Sequence, residues 1–83
     1  MSVRQELQKH GYQPANTGGG VMAYVKQLPN HRYILISKNG DLPQRMTDTV
    51  TVGIYNDDGY PEQEKTTTVE ELLRSLRNPA NPF

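Results

Sequence analysis

The chain has 83 residues, with nine Lys or Arg against nine Asp or Glu, and therefore no net charge. This length suits one small domain, and a neutral chain has no overall field that would attract DNA, RNA or anionic lipid. It contains no cysteine, which excludes disulfides and thiolate chemistry. Nothing near its start resembles a signal peptide, and no apolar run approaches the roughly 18 residues that cross a bilayer. We expect one domain over residues 1–83 in a cytoplasmic protein without membrane contact.

The N-terminal segment predicts a short helix. Ser2 and Gln5 have the spacing of a capping box, in which each side chain accepts a hydrogen bond from the backbone of the other residue. Val3 and Leu7 fall on one face of this helix. Gly11 can end it, because glycine readily adopts the left-handed conformation that closes many helices.

Residues 12–20 include three consecutive glycines and are predicted to be an irregular connection. The backbone N–H groups of Gly18–Gly20 could approach an anion, so a nucleotide or another small molecule is an alternative ligand. A phosphate loop, however, follows a strand, opens a helix and carries a Lys. Here the glycines follow a helix and open a strand, which favours a connector.

From residue 21 onwards the apolar pattern has a period of two. Three segments predict antiparallel strands at about residues 21–26, 33–37 and 49–55, separated by turn sequences. The polar stretch 41–48 is expected to be an exposed loop. Residues 60–67 are charged and follow a turn, and we treat them as a possible fourth, edge strand.

A second capping box, Thr68 with Glu71, predicts the start of another helix. Its apolar stripe consists of Val69, Leu72, Leu73 and Leu76. Two prolines in residues 78–83 prevent its continuation, and we expect a frayed tail there. The predicted fold is α+β, in the order α-β-β-β(-β)-α: a three- or four-stranded antiparallel meander with both helices on one face and the reverse face free.

No catalytic, metal or cofactor site is indicated. His10 and His31 are the only histidines and lack a third ligand at a recognisable spacing. Ser37 has no evident base beside it in sequence. Asp57 and Asp58 precede a glycine and are typical of a turn, although paired carboxylates can also bind calcium.

The tyrosines offer the clearest candidate for a binding surface. Tyr24 and Tyr55 have the parity opposite to the valine and isoleucine sets of their strands, so we expect them on the face not covered by helices. The predicted partner-binding residues are Tyr24, Lys26, Tyr33, Tyr55 and Tyr60. Two alternatives remain: ordinary cross-strand packing, and a single-stranded nucleic-acid binder that stacks bases on Tyr24, Tyr33 and Tyr55.

Five segments together resemble the layout of small bacteriophage and prophage proteins. They are Gly11-Tyr12 and residues 16–20, 33–36, 50–55 and 69–72, of which the Asn-Thr-Gly-Gly-Gly stretch is the most distinctive. The resemblance implies a non-catalytic accessory protein in the cytoplasm of a bacterial host, either a monomer or a homodimer. Its partner would be a host or phage protein, and inhibition of host defence, as in anti-CRISPR proteins, is one role that it implies.

Overall fold

A computed structural model describes residues 2–77 and shows two helices that flank five strands. They are α1 Val3–Lys9, β1 Gln13–Gly18, β2 Val21–Leu28, β3 Arg32–Ser37, β4 Thr49–Tyr55, β5 Pro61–Thr68 and α2 Val69–Leu76. The strands form one antiparallel sheet in the order β1-β2-β3-β4-β5. The predicted α+β fold, an antiparallel meander between terminal helices, is confirmed. The expectation of a frayed tail at 78–83 lies outside the described residues.

The additional strand is β1, where an irregular connection was expected, and that expectation was wrong. Residues 13–16 pair in register with β2, and the register shifts between Asn16 and Gly18. Pro14 has no backbone N–H to donate. It is tolerated because β1 is an edge strand, in which an N–H on the outer side has no neighbouring strand to bond to. Gly18, Gly19 and Gly20 all have positive φ; Gly18 ends β1, and Gly19 and Gly20 form the tight turn into β2 that the connector interpretation predicts.

Helix α1 begins and ends as predicted. Both hydrogen bonds of the Ser2–Gln5 capping box are present. At the C-terminal end, Gly11 has φ of 91° and the Tyr12 N–H donates to the Leu7 carbonyl at 3.0 Å. This is a Schellman closure, and it brings Tyr12 and Leu7 together in the core, where both are fully buried.

Helix α2 begins at the predicted cap, although only one of the two expected hydrogen bonds forms. The Thr68 hydroxyl accepts from the Glu71 N–H at 3.2 Å. The predicted hydrogen bond from the Thr68 N–H to the Glu71 carboxylate does not form. This carboxylate accepts from the Thr67 hydroxyl at 3.1 Å instead.

The loop of residues 41–48 is more than the exposed connection that was expected. Pro43 is fully buried, and Met46 packs against the core. The carbonyl oxygens of Asp48 and Met46 accept from the first two amides of α2, at 3.0 and 2.9 Å. Because these amides have no partner within a helix, the loop completes the N-terminal cap of α2.

The Asp48 carboxylate holds this loop in its conformation. One oxygen accepts from the backbone N–H groups of Gln44 and Arg45, each at 3.0 Å, and the other accepts from the Lys38 ammonium at 3.0 Å. The two backbone hydrogen bonds, followed by the bond from Lys38, lower the pKa of Asp48 from 3.8 to about 2.

The core lies between the two helices and one face of the sheet. Its members are Val3, Leu7, Tyr12, Tyr24, Ile34, Ile36, Val50, Val52, Ile54, Val69, Leu72 and Leu73. On the sheet, Tyr24 lies opposite Ile36, and Ile36 lies opposite Val52. Directly opposed residues share a face, so this row points to the helices. The expectation that Tyr24 projects from the uncovered face was therefore wrong, and Val25 occupies that side instead.

The left-handed conformation of Gly11 gives the first testable prediction. A Cβ there would meet only ordinary contacts, the nearest being Lys26 Cε at 3.5 Å, so the expected cost is in the backbone. We expect Gly11→Ala to lower the free energy of unfolding by about 1 kcal/mol in urea titrations. Gly11→Asn is the matched control and should cost less, because asparagine tolerates this conformation. Equal stability of the alanine variant and the wild type would contradict the argument.

The second prediction concerns the pH dependence produced by Asp48. Its pKa is lower in the folded chain than the usual 3.8, so its contribution to stability is complete above about pH 5 and is lost as the pH falls towards 2. Asp48→Asn should lower the melting temperature at pH 7, and the difference from the wild type should shrink near pH 2. Asp57→Asn, in the exposed β4–β5 turn, is the control. A difference that does not change with pH would count against the role of the Asp48 charge.

Candidate functional site

The reverse side of the sheet, which we call the open face, carries the candidate site. The ladder pairs Val25–Leu35 and Leu35–Gly53 place these three residues in one row on it. The open face consists of Gln13, Ala15, Ala23, Val25, Gln27, Tyr33, Leu35, Ser37, Thr51, Gly53, Tyr55, Glu64 and Thr66. Val25 and Leu35 are half-buried, although neither α1 nor α2 packs on this side of the sheet.

Two tyrosines stack on this face, at the end of the sheet where β3 begins and β4 ends. Tyr33 and Tyr55 are directly opposite each other on β3 and β4. Their ring centroids are 5.7 Å apart and the ring planes differ by 15°. This is the offset arrangement that aromatic pairs favour, and it shows the cross-strand packing that the sequence left open.

The Tyr55 ring is held in place on two further sides. It lies across Gly53, where a Cβ atom would come within 2.7 Å of Tyr55 Cε2. Its hydroxyl donates to Glu64 Oε2 at 2.9 Å. Partial burial, and then the hydrogen bond to Glu64 and its negative charge, raise the pKa of Tyr55 to about 12. The hydroxyl therefore remains a protonated donor at neutral pH.

The structure separates the other three predicted binding residues from this pair. Tyr24 is only 2% exposed and belongs to the core. Lys26 shares the helix-covered side of β2, where its ammonium nitrogen lies 5.6 Å from the centroid of the Tyr12 ring. Tyr60 is 69% exposed but lies in the β4–β5 turn. Only the Tyr33–Tyr55 part of the predicted surface is assembled.

Sequence reasoning missed four members of the site: Val25, Leu35, Gly53 and Glu64. Leu35 lies within an unbroken apolar run at 33–36, which hides the alternation between the two faces. A glycine in the middle of a strand does signal a close approach of another group, and Gly53 provided that signal. The position of Glu64 beside this glycine, in contrast, is known only when the register of β4 and β5 is known.

The charge on the open face argues against nucleic acid. Among the described residues that form this face, Glu64 is the one charged side chain, and none is Lys or Arg. The cation nearest in sequence to Tyr33 is Arg32, which has the opposite parity and pairs with Glu62 at 3.7 Å. Binding to single strands combines stacking with a cationic groove along the phosphates. The face has the stacking rings without that groove.

The histidines and carboxylates form no metal site in the part of the chain that the structure describes. Within residues 2–77, no three His, Asp or Glu side chains come together in a way that could hold a metal ion. His10 is the C-terminal cap of α1, and His31 lies in the β2–β3 turn with φ of 59°. Neither described helix, at seven and eight residues, is long enough to cross a membrane.

Comparison of the chain with protein-family models, with curated proteins and with solved structures finds no match. The assignment of a function therefore depends on the geometry of the open face.

The contact between Gly53 and Tyr55 gives the third prediction. In Gly53→Ala the new methyl group displaces the Tyr55 ring, which removes the stack on Tyr33 and the bond to Glu64. We expect the free energy of unfolding to fall by about 1 kcal/mol in urea titrations.

The matched control for this prediction is a double-mutant cycle. In a Tyr55→Ala background no ring is displaced, so Gly53→Ala should be neutral or should stabilise by about 0.5 kcal/mol, as alanine usually does in a strand interior. The same loss of stability in both backgrounds would show that the ring is not the cause.

Proposed function

We propose that this chain is a non-catalytic protein-binding module and that the open face is its binding surface. The observation that carries the proposal is the fixed position of the Tyr33–Tyr55 pair. Stacking, the gap at Gly53 and the bond to Glu64 orient both rings before any partner binds. Rigid aromatic side chains are typical anchors of protein interfaces, because little conformational entropy is lost when they are covered.

The edges of the sheet are less suited to binding than its face. An edge binds a partner by adding another strand, which needs a regular row of free backbone groups. Strand β1 contains Pro14 and an irregular register, and β5 begins at Pro61 and carries Glu62 and Lys65. Prolines, bulges and charges of this kind discourage strand addition.

The chemistry of the face supports binding rather than catalysis. A tyrosine whose pKa is about 12 is a poor proton donor or acceptor for reactions at neutral pH. Its nearest acid, Glu64, is already engaged by the Tyr55 hydroxyl. What remains for a partner is an apolar and aromatic surface with the exposed amide side chain of Gln27 towards one side.

The resemblance to phage and prophage proteins supports a context for this activity. In that context the module works in the cytoplasm of a bacterial host and binds a host or phage protein. Inhibition of a host-defence component is the role that such a context favours.

Photo-crosslinking in bacterial cells tests the proposal, which is our fourth prediction. A benzophenone amino acid replaces Tyr33 and preserves an aromatic ring on the open face. Irradiation should give discrete covalent adducts with protein, and their yield should saturate as expression rises. The mass of each adduct identifies the partner.

The control places the same amino acid at Arg74, an exposed position on α2 in the opposite layer. Adducts seen from position 33 should be absent or much weaker from position 74. If position 33 gives no adduct, or if both positions give the same set, the open face is not the binding surface.

A further inference from the structure

We infer that the occupant of the open face is a second copy of this chain, so that two sheets pack face to face in a two-fold dimer with the helices outside. This inference rests on the proposed function, because it assigns the partner of the same face. A second copy matches the face in its neutrality and its area, and the irregular, charged edges of the sheet oppose other modes of assembly.

Neutrality favours a partner with the same chemistry. The chain has no net charge, so two copies approach without overall repulsion. The face presents Val25, Leu35 and the tyrosine pair, which are partly exposed in the isolated chain. Its one carboxylate, Glu64, already accepts a hydrogen bond from Tyr55. A second copy offers apolar area to apolar area and requires no complementary charge pattern.

The area of the face reaches the size that a specific dimer needs. Five strands spaced about 4.8 Å apart and about 20 Å long give a face of about 500 Å². Two such faces bury about 1,000 Å², the lower bound for a specific interface. The molecule measures 33 × 32 × 20 Å, which fits one layer of helices on one sheet, and neither α1 nor α2 packs on the open face. Packing a second sheet on that side produces the aligned sandwich in which inner side chains interdigitate.

Assembly should stop at two copies. A two-fold interface uses the same patch on both chains, so the patch is consumed when the dimer forms. Further growth would have to proceed through the edges, where Pro14, Pro61 and the charged residues of β5 oppose strand addition.

The fifth prediction is the mass of the purified full-length chain in solution. Light scattering after gel filtration should give twice the chain mass of 9.4 kDa. The measurement is made at about 100 μM, because interfaces of this size are typically weak. Leu35→Lys and Val25→Lys should each weaken self-association at least about tenfold, because each buries a charge in the interface. Thr47→Lys adds the same charge in an exposed loop and should leave the dimer intact. Circular dichroism establishes that each variant is folded.

The absence of cysteine from the chain permits a second measurement. Leu35→Cys, treated with a bismaleimide that spans about 10 Å, the distance between packed sheets, should be captured as a covalent dimer. Thr47→Cys should not. A wild-type chain that is monomeric throughout, or lysine variants that associate as the wild type does, would overturn the inference.

The two proposals fail in different ways. A monomeric purified chain, together with an adduct from position 33 to a different protein, would overturn the dimer and leave the binding module standing. If position 33 yields no adduct and the purified chain is monomeric, both proposals are overturned. An adduct with the mass of two chains supports both.

Discussion

The register of the three central strands is the constraint on which the rest of this structure depends. It places Tyr24, Ile36 and Val52 in one row beneath the helices. Because side chains alternate along a strand, the adjacent row, Val25, Leu35 and Gly53, must lie on the other side. A slip of one residue would exchange the two sets, burying a glycine in the core and exposing large apolar groups. The core and the candidate site are therefore fixed by the same hydrogen-bond pattern.

The helices were predictable because their signals are local. Capping residues, a closing glycine and an apolar stripe lie within a few positions of one another, and both helices begin where Ser2 and Thr68 indicate. Which side of β2 faces the core could not be predicted in this way. Its sequence, Val-Met-Ala-Tyr-Val-Lys, carries apolar residues at both parities, so alternation alone does not show which set is buried. The pairing with β3 decides it. Strand β1 was missed because its sequence is polar, and it becomes a strand through its pairing with β2.

The candidate site shows the same division between local and non-local information. The sequence pointed to an aromatic surface, and Tyr33 and Tyr55 do lie on the open face; their role in binding stays a prediction. What orients Tyr55 comes in part from a residue that lies further along the chain. Glu64 reaches Tyr55 only because β5 lies beside β4, and the ring lies over Gly53 only because no Cβ occupies that space. The contact with Glu64 has no signature in a single sequence, whereas the glycine two residues before Tyr55 is visible in it.

The energetic balance of the open face links its structure to its proposed occupancy. A glycine in a central strand lowers stability by roughly 0.5–1 kcal/mol relative to alanine, and a domain of this size has little stability to spare. The Tyr55 ring compensates by covering the exposed backbone of Gly53, as aromatic side chains do when they neighbour a glycine in a sheet. Val25 and Leu35 are shielded only in part, so apolar area remains that contributes to stability when another surface covers it. A small domain gains most stability when a partner covers the side of the sheet that its own core does not. Here that side is the open face, on which the aromatic pair is already in position.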